Sequence, residues 1–143
     1  MLNPSMTRPV VRPLIGKQHV LGHDAIDLDH KAIADCWHKA VQCQEIEFPL
    51  LIARLKKRMR NHFDHEAVLM RRSGGALCDC HAQEHDELLD LCEEVMVLSR
   101  KNWRKTQSLL RIRFPKLIRD HIIYTDQIAV LFLNTNGAMA QTC

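Results

Sequence analysis

Histidines are the residues whose number and spacing most clearly indicate chemistry in this chain. There are nine among 143 residues, well above the usual share, and histidine is the commonest metal-binding side chain. In the stretch HFDHEAVLM, His62 and Glu66 are four residues apart, and His81 and His85 have the same spacing. Side chains four apart lie on one face of a helix and can share one ion. The spacing therefore predicts metal binding.

His121 and Asp126 are also candidate ligands, but they are five residues apart. In a regular α-helix this step is about 140° of rotation, which puts the two side chains on different faces. A one-residue π-bulge would bring them together, and such bulges occur often at functional sites. The sequence therefore predicts a helix distortion between His121 and Asp126.

The burial of these groups without partners would be unfavourable. Each unpaired buried imidazole or carboxylate costs roughly several kcal/mol, so seven would exceed the stability of about 5–15 kcal/mol of a whole domain. A bound metal would remove this conflict. The candidate metal ligands are His30, His62, Glu66, His81, His85, His121 and Asp126.

Four segments with helical periodicity position these residues, at about 28–42, 48–72, 80–101 and 108–133. Helices of this length joined by short loops predict an all-α, antiparallel up-down-up-down four-helix bundle. Pro115 predicts that the last helix either begins or kinks there, and residues 134–137 are expected to end it. The predicted inward side chains of this helix include Leu110, Phe114, Leu117, Ile128, Leu131 and Phe132.

The predicted division of the chain is an N-terminal arm (1–21), the bundle (22–133) and a C-terminal tail (134–143), with 1–17 and 134–143 as loose ends. No apolar run reaches the length of about 18 residues needed for a membrane span. The N-terminus has no apolar core of a signal peptide, so we expect a cytoplasmic protein with reduced cysteines. Cys78 and Cys80 are interpreted as an ordinary loop pair, with a zinc or redox role as the alternative.

The order of these motifs resembles the hemerythrin family, particularly its single-domain bacterial members. IDLDH (26–30), HFDHEAVLM (62–70), HAQEHDELL (81–89) and HIIYTDQI (121–128) match the family's motifs. The resemblance covers about residues 22–132. Where the family often has a tryptophan one turn before the fourth helix's histidine, this chain has Leu117, and the loop SGGALCDC is also unusual.

The resemblance implies a non-haem di-iron site with an oxo or hydroxo bridge. His81, His85 and His121 would bind one iron, His30 and His62 the other, and Glu66 and Asp126 would bridge them. The second iron would have one open position, where the family binds O₂, and NO or another small ligand is an alternative. Apolar residues expected around the ligands are Ile33, Trp37, Phe63, Met70 and Leu117.

The function that this resemblance implies is reversible O₂ binding, by a protein that is not an enzyme. Alternatives are an oxygen- or redox-sensing module, a di-iron oxidase or peroxidase, and iron storage or detoxification. HAQEH also fits a zinc-peptidase motif with Glu84 as general base, although that interpretation leaves five candidate ligands unexplained. The basic run at 54–60 interleaves with apolar positions, which favours a solvated face over nucleic-acid binding. The sequence does not predict an oligomeric state.

Four histidines fall outside the ligand pattern. His38 and His65 are predicted at the surface by helical phase, and His23 is close enough to the first ligand helix to approach the site or its entrance. His19 has no assigned role.

Overall fold

Helices make up the regular structure of the chain. The computed structural model describes the backbone of residues 11–141 and the side chains of residues 11–135, and it contains no strand in that part of the chain. The first three long helices are α1 (Asp24–Gln42), α2 (Phe48–Arg72) and α3 (Asp79–Leu98). The fourth segment comprises α4 (Trp103–Ser108), α5 (Phe114–Asp120) and α6 (Gln127–Gln141). The predicted all-α class is confirmed.

Side chains at the helix starts explain where the helices begin. His23 Nδ1 accepts a hydrogen bond from the Ile26 N–H at 3.4 Å, so α1 begins before the predicted residue 28. Cys78 Sγ accepts from the His81 N–H at 3.4 Å and caps α3. Pro49 lies in the first turn of α2, where the missing N–H of proline leaves no helical hydrogen bond unmade.

The inward faces of the first three helices form most of the core, and α2 packs against both α1 and α3. The helical periodicity of the sequence predicts inward residues for each helix, and all of them are buried. For α1 they are His30, Ile33, Ala34, Trp37 and Val41; for α2 Ile52, Leu55, Met59, His62, Phe63, Glu66 and Met70; and for α3 His81, His85, Leu88, Cys92, Val95 and Ser99. The helical phase of these segments was therefore predicted correctly.

Two π-helical turns interrupt the fourth segment, at Leu109–Arg113 and His121–Asp126. The Phe114 N–H bonds to the Leu109 carbonyl, and the Gln127 N–H to the Ile122 carbonyl, each five residues back. The predicted distortion between His121 and Asp126 is confirmed. The helix does not begin at Pro115: it starts at Trp103 and continues through the proline, with the first π turn directly before it.

Two residues of α6 were assigned to the wrong face. Ile128 and Leu131, predicted inward, are 69% and 68% exposed, whereas Ala129, Val130 and Leu133 are buried. The predicted faces assume an unbroken helical phase, and a π turn adds one residue, which shifts the following positions by about 100°.

The ends of the chain also differ from the prediction. α6 continues to Gln141, so the predicted end at 134–137 is wrong. In the N-terminal segment 11–21, the Leu14 side chain is buried and its N–H donates to His38 Nε2 at 3.2 Å. The Arg119 guanidinium donates to the Leu14 carbonyl at 2.7 Å. Val11–Lys17 is therefore not a loose end; residues 1–10, 142 and 143 lie outside the described residues.

None of the helices in the described part of the chain is both long and apolar enough to cross a membrane. The five cysteines described by the structure, from Cys36 to Cys92, are free thiols.

Candidate metal centre

The structure brings the seven candidate ligands together in one buried cluster. α1 contributes His30, α2 contributes His62 and Glu66, and α3 contributes the pair His81 and His85. The second π turn contributes the remaining two, its first and last residues. Each of the seven is at most 6% exposed.

Asp126 lies at the centre of this cluster, and its two oxygens face different histidines. Oδ2 is 2.8 Å from His30 Nε2 and 3.5 Å from His62 Nε2. Oδ1 is 3.1 Å from His81 Nε2 and 2.9 Å from His121 Nε2. One carboxylate therefore connects histidines from all four helical segments.

Glu66 has a similar position on the other side of the cluster. Its Oε1 is 3.2 Å from His81 Nε2, and its Oε2 is 3.5 Å from His85 Nε2 and 3.6 Å from His62 Nε2. Two overlapping groups of donor atoms result. One contains Glu66, His81, His85, His121 and Asp126, and the other contains His30, His62 and Asp126.

Several candidate ligand atoms of the cluster approach one another without making a well-aligned hydrogen bond with the described residues. They are Nε2 of His62, His85 and His121, and both oxygens of Glu66. Buried polar atoms are normally hydrogen-bonded, and such atoms are costly when unpaired. Imidazole nitrogens and carboxylate oxygens that converge in this way fit a metal centre, and the mixture without thiolates suits iron.

The cluster also favours charge separation between its own groups. Burial lowers the pKa of His81, but the nearby carboxylates of Asp126 and Glu66 outweigh it and raise the pKa to about 10. Burial also lowers the pKa of His62, but the carboxylates of Asp126 and Asp29 outweigh this effect and raise the pKa to about 9. Burial raises the pKa of Asp126, but its four histidine neighbours hold it well below the ordinary value. Protons would therefore compete with any metal ion for these side chains.

Two further carboxylates contact the outer nitrogens of the histidines, and sequence analysis did not assign them this role. Asp29 Oδ2 accepts from His62 Nδ1 at 3.1 Å, and Glu84 Oε2 accepts from His121 Nδ1 at 2.8 Å. Such contacts orient a metal-binding imidazole and direct its other nitrogen inward. Glu84 therefore bonds to His121, which is not part of the HAQEH motif. The general base of a zinc peptidase is not expected to make such a contact.

The four other histidines lie outside the cluster. His65 Nδ1 bonds to Asp29 Oδ2 at 2.8 Å, and its side chain is 42% exposed, in agreement with the predicted surface placement. His38 is half-buried, so it reaches the surface only in part. His23 caps α1. His19 is buried, and its Nδ1 accepts from the Gly16 N–H at 2.9 Å.

Phe63 is an apolar side chain in direct contact with the cluster. Its ring stacks on His85 with centroids 3.8 Å apart and an interplanar angle of 11°. Ile33 and Trp37 are buried in the same core as Phe63, whereas Leu117 is only half-buried. Met70 is buried and lines a cavity with His81.

The basic run of α2 lies mainly on its outer surface, where Arg54, Lys57, Arg58 and Arg60 are exposed and Lys56 is half-buried. This arrangement agrees with the solvated face that the sequence predicts.

Comparison with known proteins supports the predicted family resemblance. Over 121 residues the chain is 24% identical to a curated protein named bacteriohemerythrin from Ralstonia nicotianae, a match that covers 85% of this chain and 88% of that protein. No protein-family model matches the chain, and no solved structure does. The resemblance to the hemerythrin family is thus confirmed by a match over most of both sequences.

Proposed function

We propose that this hemerythrin-like chain holds two iron ions in the buried cluster and binds O₂ reversibly at them. The proposal combines the match to bacteriohemerythrin with seven converging donor residues in two overlapping groups. It makes the chain a binding protein rather than an enzyme.

The observation that carries the proposal is the division of the Asp126 oxygens. Oδ2 faces His30 and His62, and Oδ1 faces His81 and His121, as a carboxylate that bridges two ions would require. We assign His81, His85 and His121 to one iron, His30 and His62 to the other, and Glu66 as the second bridge. With an oxo or hydroxo bridge, His30 and His62 would give their ion one histidine fewer than the other ion has, so that ion would be the one to bind O₂.

The protein's own contribution is to hold the ligands in a dry, fixed arrangement. Asp29 and Glu84 orient His62 and His121 through their outer nitrogens, and Phe63 covers His85. Exclusion of water from the cluster favours release of O₂ unchanged over its reduction. Iron in its reduced form would supply the electrons that O₂ shares while it is bound.

Optical spectroscopy tests this proposal. Anaerobic protein loaded with Fe(II) is expected to be nearly colourless, to gain visible absorption bands with O₂, and to lose them under vacuum. Repeated cycles should give the same amplitude. Irreversible oxidation, with consumption of an added reductant, would contradict reversible binding.

A di-iron oxidase is the second candidate, and one observation favours it. An oxidase needs a substrate cavity and an acid or base near the metals, and a cavity of about 370 Å³ is lined by both His81 and Glu84. Multiple turnovers of O₂ with a phenolic reductant would support this candidate.

We also propose an antiparallel up-down-up-down order of the four segments, supported by the packing of α2 against both α1 and α3. The assignment of 22–133 as one domain and the cytoplasmic location stay predictions of the sequence, as does the absence of nucleic-acid and membrane partners.

A further inference from the structure

A cavity of about 370 Å³ lies beside the metal cluster, between α6 and the segment that leads into α3. Its walls are largely apolar and include Met70, Leu77, Ile128 and Phe132, and His81 forms part of its lining. Small-molecule sites in proteins commonly have this size and consist of apolar walls with a few polar groups. The 69% exposed side chain of Ile128 shows that the cavity reaches the protein surface.

One wall of the cavity depends on a glycine. A Cβ atom at Gly75 would lie 2.7 Å from ring carbons of Phe132, which is too close for any other residue type without movement of the ring. The Phe132 ring is therefore packed directly against the backbone of the loop. A flat apolar wall of this kind suits a planar ligand.

Glu84 is the charged group of the cavity. One of its oxygens, Oε2, accepts from His121 Nδ1 at 2.8 Å. The side chain lines the cavity and is 42% exposed, so its other oxygen is accessible. That oxygen can accept a hydrogen bond from a ligand, whereas a ligand carboxylate would be repelled by it. The polar group of a suitable ligand is therefore an uncharged donor, such as a hydroxyl.

We propose that this cavity binds a small planar aromatic compound with a hydroxyl group. The ring would pack against Phe132, and the hydroxyl would donate a hydrogen bond to Glu84. Such a ligand would contact His81, a proposed iron ligand, without occupying a coordination position. The proposal goes beyond O₂ binding and does not depend on it, because the cavity is separate from the open position assigned to the ions.

Isothermal titration calorimetry of the full chain as purified tests the proposal with three naphthalene compounds that differ in one substituent. β-Naphthol has the hydroxyl donor, its methyl ether lacks it, and β-naphthoate carries a negative charge. A hydrogen bond to a charged group predicts about tenfold tighter binding of the naphthol than of the ether, and weaker binding still of the naphthoate. Equal affinity for the three probes would overturn the proposal.

Glu84→Gln separates recognition of the hydroxyl from a general effect on the fold. This variant should bind the naphthol about tenfold more weakly and the naphthoate more tightly, because the repelling charge is gone. A purely structural defect would weaken both, and that result would overturn the proposed role of Glu84.

A matched pair of surface variants locates the site. Ile128 and Leu131 are almost equally exposed, at 69% and 68%, on the same helix, but only Ile128 lines the cavity. Ile128→Lys should abolish naphthol binding, and Leu131→Lys should leave it unchanged. Equal effects of the two variants, or a phenolate-to-iron absorption band on naphthol addition, would place binding elsewhere and overturn the proposal.

Discussion

At the scale of single residues, the buried cluster of candidate ligands could be predicted because metal sites need particular side chains in helical register. His62, Glu66, His81 and His85 follow from spacings of four residues. The roles of Asp29 and Glu84 could not be predicted in the same way, because their partners lie 33 and 37 residues away. Such contacts depend on how the helices pack, and the helical phase of one segment does not contain that information.

Asp126→Asn tests the bridging role. The amide keeps the shape of the side chain but removes the charge and one acceptor oxygen that face four histidines. Iron content measured by atomic absorption should fall from two ions to at most one per chain. Asp120→Asn, which changes a partly exposed aspartate that pairs with Lys116, is the control and should retain both ions.

Asp29→Asn tests the outer carboxylate on His62. Loss of such a partner weakens metal affinity by about 10–100-fold, because the imidazole is less well oriented and less basic. Competition with a chromogenic chelator measures this change. Asp35→Asn, an exposed position on the same helix, should have no effect, and unchanged affinity in Asp29→Asn would contradict the assigned role.

The pKa shifts predict how stability depends on pH. The pKa of His81 is raised to about 10 and that of His62 to about 9, so in metal-free protein their stabilisation is complete below about pH 6.5 and is lost as the pH rises through those values. The lowered pKa of Asp126 gives stabilisation that is present above its ordinary value of 3.8 and is lost as the pH falls further. Metal-free protein should therefore have its highest Tm at mildly acidic pH.

The stability that bound metal adds to the protein should increase with pH over the same range. Protons compete with the metal for His62 and His81, so metal affinity increases with pH. Differential scanning calorimetry should show the Tm difference between loaded and metal-free protein widening from pH 6.5 to pH 9. A difference that narrows would contradict protonation of these histidines in the metal-free cluster.

At the scale of helices, the fourth segment shows both the success and the limit of sequence periodicity. The spacing of five between His121 and Asp126 predicts the second π turn, because a regular α-helix would put the two side chains on different faces. The first π turn, at Leu109–Arg113, has no such pair to reveal it. The exposure of Ile128 and Leu131 follows from the extra residue of the second turn, so one local change alters the buried face of all of α6.

Changes in the length of the second π turn test this explanation. A π turn is an α-helix with one added residue, so deletion of Tyr124, which is 70% exposed, should give a regular turn that keeps His121 and Asp126 on one face. Insertion of an alanine after Tyr124 should rotate Asp126 by about 100°. The deletion should retain metal and the insertion should lose it, as measured by iron content. The reverse result would contradict the proposed geometry.

At the scale of the whole molecule, the N-terminal segment is part of the folded body. Prolines and the lack of periodicity made 1–17 resemble a loose end, but Leu14 fills a core position and is 1% exposed. Arg119 holds this segment through two backbone carbonyls, those of Pro13 and Leu14. A single buried leucine in an irregular segment has no periodic signal, so its burial could not be predicted from the sequence.

Leu14→Ala tests the contribution of this segment. Removal of a buried leucine side chain costs about 2–5 kcal/mol, so the free energy of unfolding in urea should fall by that amount. Val20→Ala, at a position 66% exposed in the same segment, should change it by less than about 0.5 kcal/mol. Equal effects of the two substitutions would contradict the packing of Leu14.

Anomalous X-ray diffraction at the iron edge tests the central proposal most directly. Two iron peaks are predicted about 3.5–4 Å apart, one contacting His81, His85 and His121 and the other His30 and His62, with Glu66 and Asp126 between them. A single peak, a zinc ion in their place, or ligands that turn away from the metals would contradict it.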